Sequence, residues 1–155
     1  MIAEVEAGSV DIPLDKAQAI LTACLDEARR QGVLVSAAVV DAGGNLKAFA
    51  RMDGAEVAGP TLATDKAYTA LAHRTPTHEL AAQAAPGGPL FGLHANGGGR
   101  YVIFGGGIPI ASGGRVIGAV GVSGAAVDQD VRCAQAGIGA AARLLAAGRR
   151  SREAS

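Results

Sequence analysis

Chemistry in this sequence concentrates in three imidazoles, a few isolated charges set among small apolar residues, and two triplets of glycine. His73, His78 and His94 can each ligate a transition metal through a neutral ring nitrogen. Their separations of five and sixteen residues match no H-E-x-x-H or other zinc-site spacing. His94 lies in an irregular, glycine-rich stretch and is the candidate metal ligand and proton carrier of the three. The alternative for each is an ordinary surface or packing imidazole.

Gly105-Gly106-Gly107, with Gly97-Gly98-Gly99 upstream, can present successive backbone N–H groups as a concave anion site, because glycine tolerates the alternating dihedrals this requires. Arg100 beside them adds a planar, two-pronged donor for a carboxylate. The same glycines serve equally for tight turns and close packing. GGGRYVIFGGG neither follows a strand nor opens a helix, and no G-x-x-x-x-G-K-[ST] occurs, so the run carries no nucleotide signature.

Asp41, Arg51 and Lys66 form a second set, expected to converge at one end of a sheet. There Lys66 and Arg51 would bind a carboxylate while Asp41 takes a proton. Against this, Asp-x-Gly is a common turn whose acid satisfies its own N–H groups, and Lys66 can simply pair with a nearby acid. Ser123 precedes a helix with Asp128 and Asp130 in its first turn, where a hydroxyl can bind an anion or act as a nucleophile. A capping role competes with both, because GVSGA lacks the G-x-S-x-G spacing.

These residues must be positioned by a chain of 155 residues, a length suited to one domain over 1–155 with one contiguous core. Positive and negative side chains balance at 14 each, which removes any general attraction to nucleic acid or to anionic membranes. Aromatic content is 3% with no Trp, so platforms for stacking bases are scarce. Only Cys24 and Cys133 are present, each within an apolar helical pattern. They read as buried thiols of a reducing compartment rather than a disulfide or metal framework. No basic leader opens the sequence, and no stretch approaches the roughly 20 apolar residues of a membrane helix. The expected location is cytoplasmic.

Apolar residues at Leu14, Ala17, Leu21, Cys24, Leu25 and Ala28, followed by Gly32, predict an amphipathic helix over 14–31. Val35–Val40 and Leu46–Met52 flank Asp41-Ala42-Gly43-Gly44-Asn45 as a hairpin. Gly59-Pro60 opens a second helix to about His73, and Thr75-Pro76 a short third to about Ala84. Residues 86–100 are too rich in Gly, Pro and Asn for regular structure and read as a binding loop. Strands are expected at Tyr101–Phe104, Ile108–Ser112 and Arg115–Ser123, then a long helix from Val127. Residues 1–12 read as an N-terminal extension and 148–155 as a solvated, flexible tail. The expected class is α+β: a profilin-like, five-stranded, mainly antiparallel sheet packed with helices.

The segments VSAAVVDAGGNLKAFARMDGA (35–55), ATDKAYTA (63–70), PGGPLFGL (86–93), GRYVIFGGGIPI (99–110) and VIGAVGVSGAAVDQD (116–130) together resemble the GlcG/HbpS-like family, which includes the C-terminal domain of PduO-type proteins. The resemblance covers nearly the whole chain. It implies a sheet layered with helices, homo-oligomers from dimer to octamer, and haem or a related tetrapyrrole as ligand and cofactor. Haem propionates would then be held by Arg100, Lys66 or Arg51, with His94 at the iron. Two other readings stand beside small-molecule binding. One is an enzyme moving a proton on a small oxo- or hydroxy-carboxylate, as an isomerase, tautomerase or lyase. The other is a structural oligomer whose glycine loops build subunit contacts, which an apolar content of 49% favours.

Overall fold

The computed structural model describes residues 11–155. Helix α1 (Leu14–Gln31) forms where the apolar residues recur at three and four, and it buries Ala17, Ile20, Cys24 and Ala28. Gly32 ends it in the left-handed region (φ 69°), which a Cβ would disfavour. Strands β1 (Ser36–Asp41) and β2 (Leu46–Arg51) make the expected hairpin. Helices α2 (Gly59–His73) and α3 (Thr77–Ala84) follow, then two single 3-10 turns at Leu93–Ala95 and Gly97–Gly99. Strands β3 (Gly107–Ser112) and β4 (Arg115–Ser123) and helix α4 (Val127–Glu153) complete the order.

The sheet is antiparallel throughout, in the order β2-β1-β4-β3. Helices α1 and α4 cover one face, where Ile20, Cys24, Cys133 and Ala134 pack on Val39, Val120 and Val122. Helix α2 covers the other, with Ala67 and Ala70 on Val40 and Ala119. It lies almost directly on the strands: a Cβ at Gly121 would collide with the Ala63 carbonyl and the Ala67 nitrogen. An Ala- and Gly-rich sequence thus replaces bulky side chains with close backbone contact.

Three expectations change. The α+β class holds, but the sheet has four strands rather than five, so the profilin-like detail does not follow. The segment expected as a strand at Tyr101–Phe104 spends its polar groups on α2 instead. The Val102 N–H donates to Thr69 Oγ1 at 3.0 Å, and the Tyr101 ring packs on His73 and Tyr68. The residues expected as a flexible tail continue α4 as far as Glu153, solvent-exposed as expected but helical. GRRSRE contains no breaker beyond one glycine, and Ser151 Oγ returns a hydrogen bond to the Ala147 carbonyl. Of the expected N-terminal extension, residues 1–10 lie outside the described residues. Ile12 belongs to the core, buried with its N–H donating to the Ile117 carbonyl at 3.0 Å. No helix among the described residues is long and apolar enough to cross a membrane.

Candidate functional site

Lys66 is the largest fully buried side chain among the described residues, 1% exposed in the middle of α2. Its Nζ donates to Asp130 Oδ2 at 3.0 Å and to the Val122 carbonyl at 2.9 Å. The ammonium also faces the Phe104 ring, 5.1 Å from its centroid. Asp130, at the start of α4, accepts the Ala125 N–H at 3.0 Å with its other oxygen. Burial pushes the Lys66 amine below its ordinary pKa although Asp130 pulls it back up. Burial likewise raises the Asp130 carboxyl against the attraction of Lys66 and the neighbouring N–H groups.

Two glycines of the triplet lie hard against Lys66. A Cβ on Gly106 (φ 130°) would stand 2.9 Å from both Lys66 Cδ and Nζ, and one on Gly107 would collide with the Lys66 carbonyl. Gly105 is pressed between Val131, Val127 and His78. The Gly107 N–H donates to Thr77 Oγ1 at 2.9 Å. Gly105, Gly106 and Gly107 therefore serve close packing, the second of the two roles open to them, and Gly107 has no N–H left for an anion.

Asp41 and Lys66 do not meet. In the β1–β4 register Asp41 stands opposite Gly118, whereas Val122, which binds Lys66, stands opposite Ala37. Four residues of strand separate them, about 13 Å. Asp41 instead closes its own turn, accepting the Gly43 and Asn45 N–H groups at 2.9 Å each. Arg51 lies toward the Lys66 end but two strand spacings from β4, and it donates to the Ala55 carbonyl at 3.1 Å. Ser123 is buried at the end of β4, and it caps nothing. The N-cap of α4 is Ala126, whose N–H donates to Gln129 Oε1 at 3.1 Å. The partner of Lys66 that sequence reasoning did not assign is Asp130. Its signal was present: it stands in line with Ala134 and Gly137 on the apolar stripe of α4, as Lys66 stands between Ala63 and Ala70, and a lone charge on an apolar stripe calls for an opposite charge.

Arg100 anchors the 86–100 loop rather than standing free. Its Nε donates to Asp65 Oδ1 at 2.8 Å, and its guanidinium lies 3.6 Å from the centroid of the Tyr68 ring. His73 turns inward, its Nδ1 3.0 Å from the Thr69 carbonyl. His78 is exposed at the start of α3. His94 is exposed in its 3-10 turn, with no hydrogen-bond partner among the described residues. On the same loop Leu90 and Phe91 are exposed, as is Phe104 a few residues beyond it. No group of three or more His, Cys, Asp or Glu is placed to hold a bare metal ion among the described residues.

A layered antiparallel sheet with a buried Lys–Asp pair and an exposed, glycine-rich loop defines a small α+β domain. A family model described as "Haem degrading protein HbpS-like" matches residues 12–139, and the chain belongs to this HbpS-like family. It is 42% identical to an uncharacterised 15.0 kDa protein of the dhaT–dhaS intergenic region of Citrobacter freundii, over 76% of this chain and 90% of that one. Its fold matches the crystal structure of Klebsiella pneumoniae ORFY with a TM-score of 0.82 at 39% identity, over 84% of this chain and 90% of that one. It also matches the crystal structure of a PduOC–haem complex with a TM-score of 0.81 at 36% identity, over 84% of this chain and 94% of that one.

Proposed function

We propose that this protein binds haem or a closely related tetrapyrrole, with the 86–105 segment as the ligand-facing surface. The observation that carries the reading is the kinship with PduOC, a haem complex 36% identical over 94% of its length. The residues present fit such a group chemically. His94 has an exposed imidazole that would ligate the iron, and Leu90, Phe91 and Phe104 have exposed apolar area that would lie against a macrocycle. Arg100 can meet a propionate only in competition with Asp65, and Lys66 cannot meet one at all while it is buried. Bound haem would supply redox and ligand-binding chemistry that none of these side chains has alone.

Clefts of 290 to 410 Å³ lined by residues of α1 and α4, of the β2 end, of the Asp41 turn and of the β2–α2 groove contain no histidine. The haem is read instead against the exposed face of the 86–105 segment, where His94, Leu90 and Phe91 stand. The alternative of proton transfer on a small carboxylate loses the Asp41–Lys66 pairing, since the two are apart and the amine of Lys66 is enclosed, and keeps only the exposed His94 as its proton carrier. A haem titration of the apo-protein tests the proposal. A saturable Soret shift, weakened or altered in position by His94→Ala, is the expected result. A featureless titration would overturn it.

A further inference from the structure

We infer that Asn96 is a site of spontaneous covalent modification, at which the side-chain amide is displaced by the Gly97 nitrogen and replaced by a carboxylate. The chain has two asparagines, Asn45 and Asn96. Both are exposed, so contact with solvent does not separate them; their surroundings do. Attack by a backbone nitrogen on the amide carbon one residue earlier requires a nitrogen that no side chain shields, an N–H that no hydrogen bond holds, and an amide free to approach it.

Asn96 meets these requirements. The residue that follows is Gly97, which has no Cβ to shield its nitrogen. Asn96 stands between two 3-10 turns, closing Leu93–Ala95 and opening Gly97–Gly99, with an extended backbone of its own (φ −92°, ψ 174°). The second turn is held by the Gly99 N–H to the Asn96 carbonyl at 3.0 Å and by the Arg100 N–H to the Gly97 carbonyl at 3.3 Å, while the Gly97 N–H donates to no group among the described residues. The Asn96 side chain caps neither turn, and its Nδ2 makes one long hydrogen bond, to the Gly92 carbonyl at 3.4 Å. Packing keeps the pair together: a Cβ at position 97 would stand 2.8 Å from the Tyr101 ring, so only glycine fits after Asn96.

Asn45 is placed in the opposite way. The branched Leu46 follows it, already in the sheet opposite Val40. Its Nδ2 donates to both carboxylate oxygens of Asp41, at 3.1 and 3.3 Å, and its N–H donates to Asp41 Oδ1 at 2.9 Å. The turn that Asp41 closes thus holds this amide where it is.

The reaction at Asn96 balances with water alone. A solvent base takes the Gly97 amide proton, the nitrogen bonds to Asn96 Cγ, and the Cγ–Nδ2 bond breaks as the amide leaves with a proton from water as ammonia. Water then opens the cyclic imide. Opening at Cγ yields aspartate, and opening at the main-chain carbonyl yields an isoaspartyl link with one extra methylene in the backbone. Either product places a carboxylate two residues from His94, at the residue that joins the two turns. One consequence rests on the haem reading: the new charge repels the propionates of a haem at His94, so the modified protein binds it more weakly.

Peptide mapping of aged apo-protein tests the site. Trypsin releases residues 75–100 with Asn96 and residues 31–47 with Asn45. After incubation of the folded protein, peptide 75–100 is expected to gain about 1 Da at position 96 and to resolve into aspartyl and isoaspartyl forms, faster at pH 8 than at pH 6, while peptide 31–47 keeps its mass. Asn96→Gln is expected to abolish the gain, with circular dichroism unchanged. A synthetic 75–100 peptide supplies the unprotected rate, and the folded protein is expected to react within about tenfold of it. No gain at position 96, an equal gain in peptide 31–47, or protection beyond that range would each overturn the proposal. Haem titration of Asn96→Asp reads the consequence: weaker binding than wild type is expected, and equal binding would overturn it. A wild type that takes up no haem would overturn the haem reading and leave the mass result standing.

Discussion

Removing the Lys66 ammonium while leaving Asp130 in place should destabilise the domain far more than removing both charges. In Lys66→Met the carboxylate stays enclosed between α2, α4 and β4, with only the Ala125 and Gly124 N–H groups beside it. At 3.0 Å the lost attraction is about 5 kcal/mol for an effective dielectric of about 20, and breaking one side of a buried pair generally costs about 3–5 kcal/mol. For a domain of this length that lowers Tm by about 6–20 °C. The double variant Lys66→Met/Asp130→Asn should recover most of the loss. Its Asn oxygen keeps the Ala125 N–H, and its amide can meet the Val122 carbonyl that Lys66 leaves. Thermal melts of the four proteins form the cycle. A pH series adds a signed check. The folded pKa of Asp130 is raised by burial, more so without Lys66, against an unfolded value near 3.9. The penalty of Lys66→Met is therefore smallest below the unfolded value, where both states are protonated, grows as pH rises from there to the raised folded value, and levels off above it. A single variant melting within about 2 °C of wild type, or a double variant no better than the worse single, would refute this account.

Two further outcomes follow from the same geometry. Gly106→Ala places a Cβ 2.5 Å from the Val122 carbonyl and 2.9 Å from Lys66 Nζ, at a φ of 130° that side chains rarely adopt. Strain and overpacking together should cost roughly 2–5 kcal/mol, and an unchanged denaturation midpoint would contradict the packing role given to the triplet. Burial pushes the Cys24 thiol up to about 12 and the Cys133 thiol up to about 11, so neither forms thiolate near neutral pH. Thiol reagents at pH 8 should label neither in the native protein and both in denaturant, and fast native labelling would show that the α1–α4 interface opens.

Much of the local architecture was legible because short-range rules produced it. The stripe of α1 with its Gly32 stop, the hairpin around Asp41, Pro60 in the first turn of α2 and the Gly113-Gly114 turn each follow from residues within a few positions of one another. The capping of the turn by Asp41 was weighed from Asp-x-Gly alone. The missing fifth strand was not legible, because Tyr101–Phe104 has strand-like residues but its Val102 N–H and Tyr101 ring are claimed by Thr69, Tyr68 and His73 across the chain.

Pairings of charge divide in the same way. Sequence marked Lys66 as out of place on an apolar face and Arg100 as a donor beside glycines. It could not say that Lys66 belongs to Asp130, 64 residues away, or Arg100 to Asp65, 35 away. Nor could it say that Gly106 and Gly107 lie hard against Lys66. Helix periodicity and turn chemistry are set by neighbours along the chain. The partner of a buried charge is set by which elements the sheet order brings together, and that order forms only when the whole core packs.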